Sequence, residues 1–484
     1  MSSIYFVALP LLFGFATPLL QKFGKNGVAY ASTGMQVGLF LLALYLMATS
    51  FWAVEIISIN PPLGISFVLN RASLLFVFLF TLLMMLFSFY YLGLRKTDPF
   101  PSENKFFILI NMVLASSIGL VLSSDLFNIY VFFEIAGISA YILSAYHKTP
   151  KALEAGLKYL LTGMLASVFL VFGIMLVYIH LGTLNLAVVS QTFHTLPFNM
   201  KMLISLLLFI GFGFKVEIFP LNFWVTDVYE GSSSLINSLF SAIVVKAYLF
   251  VFFHIIYLAM PASDFAPFLL MTGAVSMLAA EIIALKQTNL KRVFAYSSLG
   301  QVGLIFAVLS LENSAAVAAG FFIVIAHSVA KMMIFLSITS IEREHKSVDI
   351  ATLKELNSPF LTVMIVLSML SLLGIPLLAG FVGKFLALKS FAMSGEFVVL
   401  GVIIVASLIE SIYYFKITGN LFEKGERRRR LSLTKSQKSV FVTLAVLLVV
   451  LGTLPWLFSG YIQDASLSMV DTESYVNLLM GGLK

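Results

Sequence analysis

Residues 209–220 read FIGFGFKVEIFP, and the fold turns on what this stretch is. An apolar helix running in from Lys201 meets Gly211 and Gly213, carries Lys215 and Glu217, and reaches Pro220. Inside a bilayer a charged side chain costs roughly 3 kcal/mol or more. Pro220 adds to this by leaving a backbone carbonyl without its donor. Such backbone persists only where protein or a water-filled cavity satisfies it again. The simpler reading is a lysine that snorkels to the interface beside a kink. An ion pathway is the stronger one, because Lys246, Lys331 and Lys384 also stand inside apolar segments.

The surrounding composition places that stretch in a membrane. Of 484 residues, 60% are hydrophobic and 11% charged, and the mean hydropathy is +1.01. No water-soluble core needs so much apolar sequence, so the expected fold class is an all-α polytopic membrane protein. Cysteine is absent, which excludes thiolate-held iron–sulfur clusters, zinc–thiolate sites and disulfides. No cofactor site is expected, and any electrons in a parent machine would pass through other subunits. The formal charge of +7 reads as basic loops at one membrane face, not as a nucleic-acid patch.

Hydropathy predicts about fourteen spans: 4–20, 28–51, 68–94, 106–123, 125–146, 152–181, 199–219, 233–258, 264–285, 291–311, 314–341, 358–388, 394–421 and 438–460. The first lacks a basic leader and a small-residue cleavage site and is expected to be a retained helix. Loops after odd-numbered spans hold Lys22, Lys25, Arg95, Lys96, Lys105, Lys148, Lys151, Lys286, Lys291, Arg292, Arg343, Lys346, Lys354 and the run Arg427–Arg430. Loops after even-numbered spans hold little beyond Arg71, Lys201 and Lys389. By the positive-inside rule both termini belong on the outer face of the cell membrane. One odd-side loop, Leu221–Ser232, is acidic through Asp227 and Glu230 and is expected to fold back into the protein. Ala53–Phe67 reads as an external turn or short sheet, and Thr183–Thr195 as an interfacial amphipathic helix. The tail Tyr461–Lys484 is too mixed in polarity to cross again, and no soluble domain fits in the chain.

Helix breaks at Pro220 and Pro376 occupy the seventh and twelfth spans, five apart. Paired broken helices point to inverted repeats around a midplane site. The expected division is helices 1–3 over residues 1–105, one repeat over 106–258, a second over 259–421, and a basic loop, last helix and tail over 422–484.

Several buried polar residues bear on function. Glu134 lies about nine residues into its span, roughly 13 Å deep, where a carboxylate must be paired, protonated or hydrated. Placed against a lysine it makes a switchable pair, although a fixed structural ion pair fits the same facts. In HSVAK, His327 and Lys331 share a helix face and suit proton relay. His254 lacks such company and reads as an ordinary hydrogen-bonded core histidine. Lys384 follows the second break in a glycine-rich run, where Gly374, Gly380 and Gly383 allow close approach. Lys291 and Arg292 read as interfacial anchors, and Ser297, Ser298 and Gln301 as groups that hold water along a path. No phosphate loop, nucleophile–base pair or metal-ligand spacing is present in the sequence.

Taken together, DLFNIYVFFE (Asp125–Glu134), QTNLKRVFAYSSLGQVG (Gln287–Gly303) and GIPLLAGFVGKF (Gly374–Phe385) resemble the antiporter-like membrane subunit family over roughly residues 60–425. That family includes the D-type subunit of Mrp cation/proton antiporters, the proton-pumping subunits of respiratory complex I, and subunits of membrane-bound hydrogenases. The resemblance implies two inverted five-helix repeats, two half-channels and a polar axis at the midplane. It places translocation roles on Glu134, Lys215, Lys246, His327, Lys331 and Lys384. It also implies membrane subunits as partners, protons as cargo with sodium exchange as a variant, and no catalysis by the chain alone; a parent translocase would resemble NADH:quinone oxidoreductase or a hydrogenase. The chain departs from the pattern at Thr226 before Asp227, in GSSSLINS (Gly231–Ser238), and in the acidic residues Glu217, Glu281 and Glu410. Two other readings stay open: a non-conducting assembly subunit and a stand-alone secondary transporter. For Glu217 two arrangements are expected, one pairing with Lys215 and one facing away toward a cation or a neighbouring subunit.

Overall fold

The computed structural model describes residues 2–20, 22, 27–49, 53–57, 65–97, 100, 102–259, 262–345, 347–423, 425 and 429–481. Lys25, Pro61, Pro62, Lys346, Arg427, Arg428 and Lys484 lie outside the described residues. Thirteen of the described helices are long and apolar enough to cross a membrane. Adding one helix in two pieces gives fourteen spans in the order expected from hydropathy. The first six are Ser2–Leu20, Gly27–Ala48, Arg71–Leu94, Glu103–Leu122, Leu126–Ser144 and Pro150–Leu181. Phe198–Val216, Ser234–Ala259, Ala262–Ala284, Leu290–Leu309 and Ser314–His345 are the seventh to eleventh. The twelfth is Pro359–Leu373 with Ala379–Met393, and Phe397–Phe422 and Lys435–Thr453 complete the set. The protein is a multi-pass membrane protein.

Local chemistry sets the helix ends. Asn70 and Ser73 form a reciprocal capping box at the third span, and Thr434 and Gln437 do the same at the fourteenth. Asp125 accepts from the amides of Phe127 and Asn128 to start the fifth span. Both broken spans stop at a residue in the left-handed region, Glu217 (φ 66°) and Gly374 (φ 88°). Glycine takes that conformation freely, whereas a glutamate there carries a strain of roughly 1 kcal/mol or more. After Glu217 the chain turns through Phe219–Pro220 and resumes as the short helix Val225–Gly231, whose Val225, Val228 and Tyr229 are buried. The acidic loop therefore does fold back, and the seventh helix breaks at Glu217, just before the proline.

Ala53–Ile57 and Ile65–Leu69 pair as an antiparallel hairpin, matching the expected short sheet. Leu186–Thr192 with Phe193–Thr195 supplies the short helix between the sixth and seventh spans. Beyond the fourteenth span the tail forms two helices, Trp456–Val470 and Thr472–Gly481. It lies against the start of the third span, where Asp464 pairs with Arg71 and Ser468 Oγ accepts from the amide of Ala72 at 3.0 Å.

The eighth and eleventh spans form the centre and are almost entirely buried. The sixth and thirteenth lie outside, with Leu157, Leu161, Leu165, Leu408, Ile412 and Phe415 exposed as apolar faces. Every lysine on the two enclosed spans thus sits where neither water nor headgroups can reach it without a path.

Candidate ion-translocation axis

Lys215 occupies the last turn of the first half of the seventh span and is 2% exposed. Its ammonium donates to the hydroxyl of Tyr141. Four rings surround it: Tyr141 at 4.5 Å, Tyr159 at 5.2 Å, Phe133 at 5.3 Å and Tyr248 at 5.7 Å from Nζ to centroid. Desolvated cation–π contacts of this kind contribute up to about 2 kcal/mol each and hold a charge without neutralising it. Glu134, half-buried on the fifth span, is the carboxylate whose charge acts on Lys215. Its Oε1 has no hydrogen-bond partner. The structure thus brings the two residues into one electrostatic neighbourhood, with tyrosines rather than a direct ion pair between them.

Lys246 lies on the fully enclosed eighth span, is 0% exposed, and its Nζ makes no hydrogen bond. It follows directly on a π-helical turn, Phe240–Val244, the kind of bulge that marks functional positions in helices. The carboxylate whose charge reaches it is Glu217, which is 2% exposed and has Tyr229 beside it. Of the two arrangements expected for Glu217, the one facing away from Lys215 agrees with its charge acting on Lys246, a lysine of the same chain, and not on Lys215. The left-handed turn swings its side chain off the Lys215 face and into the interior toward the next lysine.

His327 and Lys331 continue the line on the eleventh span, 1% and 0% exposed. Both ring nitrogens of His327 lack a hydrogen-bond partner, and the charges acting on it are those of Lys246 and Lys331. Lys331 donates to Ser297 Oγ at 2.7 Å and to the carbonyl of Phe294 at 3.0 Å. Ser297 in turn bonds the Tyr414 hydroxyl at 2.7 Å. Beside His327 a cavity of about 10 Å³ opens, lined by Gln301, Ser371 and Lys384 among others. That is room on the order of one water molecule.

At the far end Lys384 donates to Glu410 Oε2 at 2.8 Å. Gln301 donates to the other oxygen of Glu410, also at 2.8 Å. Glu281, 0% exposed, accepts from the Tyr413 hydroxyl at 2.6 Å, and its Oε1 has no partner. A Cβ added at Gly300 would stand 2.0 Å from that Oε1, so the glycine is what admits the carboxylate. Glu281 and Glu410, on the ninth and thirteenth spans, therefore join the lysine end of the line.

Asp227 lies outside this line, at the face carrying the basic loops. It accepts from Lys158 and from Arg292, each at 2.9 Å, and Glu230 accepts from Arg292 at 2.9 Å. Burial alone would raise the Asp227 carboxyl, but Lys158 and Arg292 together hold it below the usual carboxylate range. Lys291, expected as an anchor, is 5% exposed and donates to Glu342 at 2.6 Å and to the carbonyl of Ser232 at 2.9 Å. Lys291 and Arg292 thus pin the folded-back loop, a role that depends on residues some 60 positions away. Tyr141, Tyr159, Tyr248 and Tyr229 were not singled out by sequence. Their only local signal is a tyrosine inside an apolar span, which ordinary core packing also produces.

The comparisons with known proteins fit this layout. Residues 123–410, more than half of the chain, match the family described as NADH:quinone oxidoreductase/Mrp antiporter, TM. Subunit N of the NADH-quinone oxidoreductase of Desulforudis audaxviator is 28% identical over 93% of this chain and 95% of its own length. A chain of the membrane-bound sulfane sulfur reductase, an archaeal respiratory membrane complex, superposes with a TM-score of 0.92. It is 30% identical, and the match covers 99% of both chains. A chain of the Mrp complex from a Dietzia species shares the fold, with a TM-score of 0.89 over 99% of both chains at 19% identity. The chain belongs to the NADH:quinone oxidoreductase/Mrp antiporter membrane family, as an antiporter-like membrane subunit.

Proposed function

We propose that the chain moves protons across the cell membrane along the line Glu134, Lys215, Lys246, His327, Lys331, Lys384, as one subunit of a larger membrane complex. One observation carries this reading: in the middle of the line, Lys246 Nζ and both nitrogens of His327 are buried without hydrogen-bond partners. A purely structural core satisfies its buried polar groups. Groups that give up a proton and take it back gain from standing between partners. Amines, an imidazole and phenols also suit a proton better than a metal cation. The oxygen-rich end at Glu281 and Glu410 is where sodium exchange would be sought.

Other membrane subunits are the expected partners, since the relatives named above come from multi-subunit complexes. Two five-span units, residues 106–258 and 259–421, would each carry one broken helix. The matching left-handed stops at Glu217 and Gly374 support that division. The basic loops favour an orientation with both termini outside.

Lys215→Gln in the purified native complex, reconstituted into vesicles, tests the reading. Proton flux is expected to fall about tenfold or more with assembly intact, whereas unchanged flux contradicts it. Glu134→Gln is expected to act likewise, and the double variant to lose less than the product of the single losses. A non-conducting subunit has one point in its favour, the fixed Lys384–Glu410 pair. On that reading all three variants would keep wild-type flux.

A further inference from the structure

We propose that His254 and Tyr475 form an outlet branch of this axis, joining Lys246 to a polar crevice at the face opposite the basic loops. The inference rests on the proton-carrying role given to Lys246 above. His254 is 4% exposed and its Nδ1 has no hydrogen-bond partner. Tyr475, from the second tail helix, is also 4% exposed, and its hydroxyl has none either. Their rings meet edge-on, centroids 5.0 Å apart at 77°. Two rings in contact, one on a span and one on the tail, each with a buried polar atom left without a partner, are not what packing alone would select.

The branch has two ends. Inward, His254 lies eight residues beyond Lys246 on the eighth span, about 12 Å along the helix axis. Phe250 falls midway and stacks on His254 at 5.7 Å and 23°. Phe250 therefore closes the branch, and passage requires its ring to swing aside and admit water. Outward, Tyr475 forms part of the wall of a crevice of about 630 Å³, with Asn70, Arg71, Asp464, Asp471 and Ser474. Asp125, at the start of the fifth span, is the carboxylate whose charge reaches Tyr475. Thr472 Oγ1 donates to the carbonyl of Tyr257 at 3.3 Å and clasps the tail onto the end of the eighth span. Once the Tyr475 hydroxyl swings within hydrogen-bond reach of His254 and crevice water enters, a proton on His254 can pass to the Tyr475 oxygen as that hydroxyl releases its own proton to the water. The phenol regains its proton from His254 in the same step, and His254, left neutral, takes the next one from the Lys246 side.

The test uses the full complex in vesicles. Tyr475→Phe keeps the ring and deletes the hydroxyl, and it is expected to lower proton flux about tenfold or more. His254→Ala is expected to do the same. Added imidazole should restore the flux, whereas pyrazole, of the same size but far less basic, should not. Equal restoration by both would mean that His254 only fills space, and the branch falls. Wild-type flux in Tyr475→Phe and His254→Ala, with flux abolished in Lys246→Met, overturns the branch and leaves the axis standing. Wild-type flux in Lys246→Met overturns the axis, and the branch with it.

Discussion

Glu217 follows Lys215 by two residues, yet the lysine its charge acts on is Lys246, on the next span. The left-handed backbone at Glu217 ends the helix, and the side chain is buried in the interior at 2% exposure. Each lysine of the first half thus has its own carboxylate: Glu134 for Lys215 and Glu217 for Lys246.

If Glu217 serves Lys246, neutralising it removes the carboxylate charge that acts on that lysine. Glu217→Gln should then lower proton flux in reconstituted vesicles. Adding the substitution to Lys246→Met should cost nothing further, since coupled residues do not act additively. A rise in flux on Glu217→Gln would mean that the carboxylate normally locks the proton on Lys246, and the assignment would fail.

The pair Lys384–Glu410 separates stability from transport. Breaking a buried pair from one side leaves an uncompensated charge, at a cost on the order of 3 kcal/mol. Glu410→Gln should therefore lower the thermal stability of the purified complex in detergent. Combining it with Lys384→Met should recover most of that stability without recovering proton flux. Recovery of both would reduce the pair to a structural element.

Much of this architecture was legible in the sequence, and the remainder was hidden for a definable reason. Hydropathy alone located the fourteen spans, because roughly 20 apolar residues are what a bilayer demands. The lysines stood out because a charge inside such a run needs a cause. What the sequence could not show was direction. A left-handed residue at Glu217 cannot be foreseen from an apolar helical pattern, so its pairing with Lys246 could not be either. Glu281 and Tyr413 lie 132 positions apart, and their contact depends on Gly300 of a third helix. His254 read as an ordinary core residue because Tyr475, which faces it, comes from the tail.

The cluster at the basic face has a pH signature. Asp227 is held below its ordinary value of 3.8, so the folded state binds its proton less readily than the unfolded chain does. Its contribution is full above that ordinary value and is lost as the pH falls through the lower folded value. With the carboxylate partly exposed, the contribution is about 1 kcal/mol or less. Asp227→Asn should thus lower the melting temperature of the purified complex slightly at neutral pH. The gap to wild type should close below about pH 4. A gap that stays constant down to the lowest pH at which the complex survives would show that Lys158 and Arg292 do not act on Asp227 as an ion.

Proton flux through the complex carrying Lys246→Met tests the central claim most directly. The side chain is fully buried, its Nζ makes no hydrogen bond, and methionine has nearly the same shape, so the substitution orphans no partner. With assembly and stability at wild-type levels, flux into vesicles should drop to about a tenth or less, as for the loss of an essential proton carrier. Wild-type flux in that variant would contradict an axis that runs through Lys246.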